Sequence, residues 1–185
     1  MLTKARYPDF IARQFVHEET LAIPLPTGPL ELERVIRLRE ADDATLRGGL
    51  PVADAALVPL VRAALFYFLN ALPESHAILQ KAEGDVAAYW HGMVHRREGD
   101  FDNARYWMRR AGEQPTFAEL HARAADGSPN MARQMSWDPF LFINLCEQFR
   151  FGADDLRAEV VALGRAEFDV MFSYLWRHAV GKAES

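Results

Sequence analysis

The tightest constraint on this chain is the break at Gly99-Asp100, which leaves two helical segments, running from about Asp85 and from Phe101 to Arg110, almost nothing to turn with. A glycine in the left-handed conformation ends one helix and an aspartate caps the next, so the chain must fold back as a short antiparallel helical hairpin. Asp85 stands where it can cap the first segment. On that segment His91, His95 and Glu98 stand at i, i+4 and i+7 and leave from one face, while Met93, Val94 and Arg97 leave elsewhere.

The rest of the chain reads as further helices packed around this hairpin. Ala5 to Thr20 makes a modestly amphipathic helix with Phe10, Ile11, Phe15 and Val16 on its apolar side, and His17-Glu18-Glu19 reads as surface. Pro24, Pro26 and Pro29 with Gly28 force an extended connection. Leu30 to Arg39 is a short helix, and Ala41 to Gly49 reads as a loop or fraying turn. From Val52 the apolar residues Leu57, Leu60, Val61, Ala64, Leu65, Phe68 and Leu69 recur over a wide helical arc, with Pro59 either a kink or the true start. Asn70 to Pro73 closes that helix, and Glu74 to Ala82 adds one or two turns bearing Ser75, His76 and Gln80. Thr116 caps a helix to Ala125, and residues 126–130 read as a loop. Asp138-Pro139 is a cap-and-first-turn start signal, and Asp154-Asp155 opens a long helix to about Val180. No run alternates with period two for long enough to make a sheet. The expected fold is all-α: one domain over residues 1–185, an irregular bundle of about seven helices with 1–29 a peripheral N-terminal arm and 30–185 the core.

Composition narrows the function. Half of the 185 residues are hydrophobic, enough for a substantial core, and the net charge of −5 is spread among interspersed acids and bases. Such a surface has no global field favouring nucleic acid or an anionic membrane. Arg105, Arg109 and Arg110 beside Tyr106 and Trp107 are a mix that can stack on single strands, but the neighbouring Glu98, Asp100 and Asp102 make a solvated face the expected reading. The one cysteine, Cys146, cannot form an internal disulfide and suits a reducing, cytoplasmic setting. The first twenty residues lack the uninterrupted apolar core of a secretion signal, and Asp54, Pro59, Arg62 and Asn70 interrupt the most apolar stretch, so no membrane span is expected. No serine, cysteine or glycine-rich loop has the setting of a nucleophile elbow or phosphate cradle.

Two resemblances attach to the hairpin. With Gly92, the Gly99-Asp100 turn, Ala104, Ala111 and Pro115, it resembles a single tetratricopeptide unit. That implies a helical interaction scaffold, but no second copy appears at the repeat's period of about 34 residues. His91 and His95 also stand where that repeat packs apolar residues. More extensively, the string Ser75-His76, Gln80, Tyr89-Trp90-His91, His95-Arg96-Arg97-Glu98, Asp100, Asn103, Tyr106-Trp107 and Arg109-Arg110, with a weaker echo at Trp137-Asp138-Pro139-Phe140, is similar to an uncharacterised group of bacterial and fungal proteins. The resemblance implies a place to look and no particular activity.

The chemistry available at that place is specific. Two histidines one helical turn apart can share a divalent metal such as zinc, and His76 from the preceding helix can complete a set of His76, His91 and His95. An open fourth position would then activate water for hydrolysis. Position 92 is glycine where a zincin would place its glutamate, so the spacing alone does not name a metalloprotease. Without metal, His91, His95 and Glu98 can perform acid-base chemistry, while Arg96, Arg97, Asp100 and Gln80 bind a small, possibly anionic, ligand. The competing reading is architectural: Arg97, Glu98 and Asp100 pair internally, the histidines satisfy backbone groups, and the hairpin supports a groove for a peptide or a second subunit. A small-molecule site requires the imidazoles to converge with a solvent path, whereas an interaction module requires a sealed cluster and an exposed apolar patch.

Overall fold

The computed structural model describes residues 7–15, 21, 24–29 and 31–181. The expected helix ends at Ala5 and Thr20, with Val16 and His17-Glu18-Glu19, and the expected helix start at Leu30 lie outside the described residues. Among those described, eleven α-helices follow one another with no strand. They are α1 (Asp9–Gln14), α2 (Leu32–Glu40), α3 (Asp43–Arg47), α4 (Val58–Phe68), α5 (Leu72–Leu79), α6 (Asp85–Glu98), α7 (Phe101–Ala111), α8 (Phe117–Ala124), α9 (Pro129–Ala132), α10 (Pro139–Arg150) and α11 (Arg157–Ala179). The all-α expectation holds. The count exceeds about seven because stretches read as loops contain short helices. In α3, Asp42 accepts from the Thr45 amide and Gly48 closes the turn at φ 60°. In α9, Ser128 accepts from the Met131 amide. Aspartate, serine and glycine mark turns and the ends of one-turn helices alike, so composition does not separate the two.

The hairpin forms as its sequence requires. Gly99 ends α6 at φ 78° and Asp100 caps α7 by accepting from the Asn103 amide. A Cβ at Gly99 would lie 2.6 Å from the tip of the exposed Arg150 side chain, which can move aside, so it is the left-handed turn that requires glycine there. Asp85 is not the cap expected: Gly84 holds the cap position and Asp85 is the first helical residue, where its charge still suits the helix dipole. Gly92 lets α7 approach, since a Cβ there would sit 3.0 Å from the Met108 methyl.

α4 is the inner helix, with Leu60, Val61, Ala63, Ala64, Leu65, Phe66, Tyr67 and Phe68 all buried. Pro59 falls within its first turn, so it starts the helix instead of kinking it. Asn70 closes it in the left-handed region at φ 59°, and Ser75 Oγ donates to the Ala63 carbonyl at 2.8 Å, fixing α5 against α4. The 23-residue α11 packs across α4, α8 and α10, contributing Phe168, Met171, Phe172 and Leu175 to the core, and begins after a 3-10 turn at Asp154–Leu156. Asp138 caps α10 by accepting from the Phe140 and Leu141 amides, as its sequence predicts. Thr116 occupies the cap position of α8, yet its hydroxyl turns to Met171 Sδ at 3.2 Å and caps nothing. Among the described residues no helix is long and apolar enough to cross a membrane.

Candidate functional site

Two neighbours build the site: α5 contributes His76, and the buried α6 contributes His91 and His95. The three imidazoles meet. Ring centroids are 4.7 Å apart for His76 with His91 and with His95, and 4.9 Å for His91 with His95. One potential ligand atom from each ring lies within 4.8 Å of those of the other two. His91 and His95 are nearly parallel because they sit one turn apart on one helix, and His76 meets both edge-on from α5.

Solvent and charge enter from one side. Glu98 spans two of the rings, with Oε1 at 3.5 Å from His76 Nδ1 and Oε2 at 3.3 Å from His95 Nδ1. Asp100 Oδ2 lies 3.7 Å from His95 Nδ1, and the side chains of Asn103 and the nearby histidines hold its carboxyl below the usual range. The His76 and Glu98 side chains keep 31% and 28% of their surface exposed, so the cluster has a wet edge. Trp107 of α7 stacks on His91 at 4.0 Å, and the guanidinium of Arg110 lies 5.4 Å from the Trp107 ring. His91 is only 2% exposed, and neither of its ring nitrogens finds a hydrogen-bond partner among the described residues. Burial, reinforced by His95 and His76, pushes His91 down to about 4. It is therefore neutral near pH 7, the form in which imidazole ligates a metal.

That depression makes the protein without metal acid-sensitive. In the unfolded chain His91 takes up a proton near its ordinary value of 6.5, whereas in the folded chain it resists down to about 4. Between those values the unfolded state binds more protons, so stability is complete above pH 6.5 and falls as pH drops towards 4, by roughly 3 kcal/mol. Urea midpoints measured at pH 7.5, 6, 5 and 4 will show that decline.

The residues expected to clamp an anion do not join the histidines. Arg96, also buried, forms a bidentate ion pair with Glu167 of α11 and lies 3.8 Å over the Phe142 ring. Burial works against its charge, but Glu167 outweighs that and raises its affinity for the proton. Arg97 is turned into the core, where it donates to the Tyr67 carbonyl at 3.1 Å and to Asn70 Oδ1 at 2.5 Å. In place of the expected internal pairing with Glu98 and Asp100, Arg97 locks onto the C-terminal end of α4. Gln80 is exposed at the end of α5, and no hydrogen bond joins it to the cluster. Of the residues selected from sequence, the structure brings together His76, His91, His95, Glu98 and Asp100. It separates off Arg96, Arg97 and Gln80.

Two residues of consequence were not selected. Trp107, read as core, is half-buried and forms one wall of the site. Glu167, fully buried, accepts from Arg96 and from the Tyr89 hydroxyl at 2.9 Å, while Trp137 Nε1 donates to that hydroxyl at 2.7 Å. Its signal was its position: a lone carboxylate four residues after Leu163 and three before Val170 lies on an apolar helix face. His121, read as surface, is half-buried, with Nε2 3.2 Å from the Met131 carbonyl. Arg105, read as part of a solvated face, reaches Asn144 Oδ1 at 2.9 Å and pairs with Glu147 of α10. Cys146 is buried and its thiol is pushed up to about 12, which leaves it unreactive.

Comparison with known proteins returns no match to any family model, curated protein or solved structure. Fold and site alone define the class: an all-α bundle carrying three histidines close enough to hold one metal ion between adjacent helices.

Proposed function

We propose that this protein binds one divalent transition-metal ion, zinc foremost, through His76, His91 and His95, and that this centre is its working site for a small molecule. The observation that carries the reading is His91, a buried neutral imidazole whose two nitrogens have no partner among the described residues. A buried polar group without a partner costs about 1–3 kcal/mol, so a fold that keeps one needs a compensating interaction. Zinc would supply it. In a tetrahedral site with bonds of 2.0–2.1 Å, ligand nitrogens stand about 3.3 Å apart, so the rings need to move by only on the order of 1 Å from their present separations.

Three further features favour a small-molecule centre over a purely architectural cluster or an interaction module. The edge at His76 and Glu98 is open to solvent, whereas a module requires a sealed cluster. The two carboxylates near the imidazoles suit a cation, and Arg96 and Arg97, poor neighbours for a metal, face the other way. His76 sits on a different helix from its partners, so an ion would also staple α5 to the hairpin.

Element analysis and titration calorimetry on the full chain test the reading. Protein equilibrated with zinc and desalted is expected to retain one equivalent. The His76→Ala variant, which changes a partly exposed side chain, should fold normally and bind zinc at least ten-fold more weakly. Sub-stoichiometric zinc in the native protein, or unchanged affinity in the variant, would overturn it.

A further inference from the structure

Building on that metal reading, we infer that the centre is hydrolytic: three imidazoles leave one coordination position for water on the Glu98 side, and the substrates it accepts are small uncharged carboxylic esters. Structural zinc sites close their coordination with four protein ligands, whereas catalytic ones use three and keep a position open. The described histidines supply three. Trp107 covers one face of His91, so the open position falls to the edge formed by His76 and Glu98, whose side chains keep 31% and 28% of their surface exposed. Glu98 reaches two of the three rings and retains solvent exposure, so its carboxylate is placed to accept a hydrogen bond from a metal-bound water and aim its lone pair outward. Glu98 is here a positioning residue.

The step balances without any other reactant. A three-histidine zinc site would lower the pKa of the metal-bound water to about 7, against about 9 on aqueous zinc, and the released proton goes to solvent. The hydroxide oxygen forms a bond to the ester carbonyl carbon. The acyl C–O bond then breaks, and the departing alkoxide takes a proton from water, giving a carboxylic acid and an alcohol.

Substrate charge follows from what surrounds the mouth. Glu98 and Asp100 place two carboxylates beside the imidazoles. Arg96 and Arg97, the cations nearest in sequence, are turned into the core, Arg110 lies over Trp107, and the Arg150 guanidinium at the Gly99 turn is one cation against two acids. A phosphate monoester or carboxylate substrate would meet repulsion from both acids, and an uncharged ester meets none.

The zinc-loaded full chain is assayed with p-nitrophenyl acetate and p-nitrophenyl phosphate at pH 7, against an equal concentration of free zinc. Hydroxide on zinc whose water has a pKa near 7 is about 50-fold more abundant at pH 7 than on aqueous zinc, so acetate hydrolysis should exceed free zinc by ten-fold or more. Phosphate hydrolysis should not. Glu98→Gln should retain one zinc and lower kcat about ten-fold, with its rate still rising with pH through the same midpoint. Stoichiometric zinc with no ester hydrolysis above free zinc overturns the hydrolytic inference and leaves metal binding intact. Loss of zinc in Glu98→Gln overturns it too, by making Glu98 a fourth ligand that closes the centre. Failure of the native chain to bind zinc instead removes the metal reading itself.

Discussion

Glu167→Gln is expected to destabilise the protein by about 3–5 kcal/mol, because it leaves the Arg96 guanidinium buried without a counter-charge. Both residues are essentially inaccessible, and the carboxylate also accepts from Tyr89, which in turn accepts from Trp137. The network joins α6 to α11 and, through Trp137, to the segment just before α10, and at 0% exposure the Glu167 carboxylate is out of reach of bulk solvent. For a chain of this size the loss corresponds to a melting temperature lower by roughly 6–20 °C. Replacing both partners, as Arg96→Met with Glu167→Leu, should recover most of it, since removing a buried pair together also removes its desolvation cost. Calorimetric melting of the single and double variants checks both statements. Equal destabilisation in the two would show that the individual hydrogen bonds, and not the stranded charge, hold the helices together.

His91→Phe is expected to raise the stability of the metal-free protein by about 1–3 kcal/mol while abolishing zinc binding. Phenylalanine keeps a flat ring against Trp107 and removes two buried nitrogens that have no partners among the described residues. Since the titrating ring is gone, the decline in stability between pH 6.5 and 4 should largely disappear with it. A protein that becomes more stable by losing a polar residue is one in which that residue was kept for something other than folding. Urea unfolding with and without zinc reads all three effects. Destabilisation by several kcal/mol would instead place His91 among the architectural residues.

Much of the candidate site was legible in the helix period. The spacing of His91, His95 and Glu98 put them on one face, and a three-residue set with His76 needed only that α5 lie beside α6. What the period does not carry is depth. Arg96 and Arg97 are one and two residues beyond His95, successive turns of 100° each, and their long side chains reach across α4 and α11 to partners 30 and 71 residues away. Adjacency in sequence made them look like companions of the histidines, and the helix rotated them to the other side.

By itself the sequence determined the local geometry: helices throughout, the Gly99-Asp100 reversal, the start at Asp138-Pro139 and the common face of His91 and His95. These depend on backbone dihedrals, caps and a 3.6-residue period, which act over a few neighbours. Only the tertiary structure decided that Trp107 walls the site, that Glu167 neutralises Arg96 and that His91 is buried with neither ring nitrogen partnered among the described residues. Those outcomes depend on which helix faces are brought together, and burial, which sets the protonation of His91, belongs to the packed assembly and to no single segment.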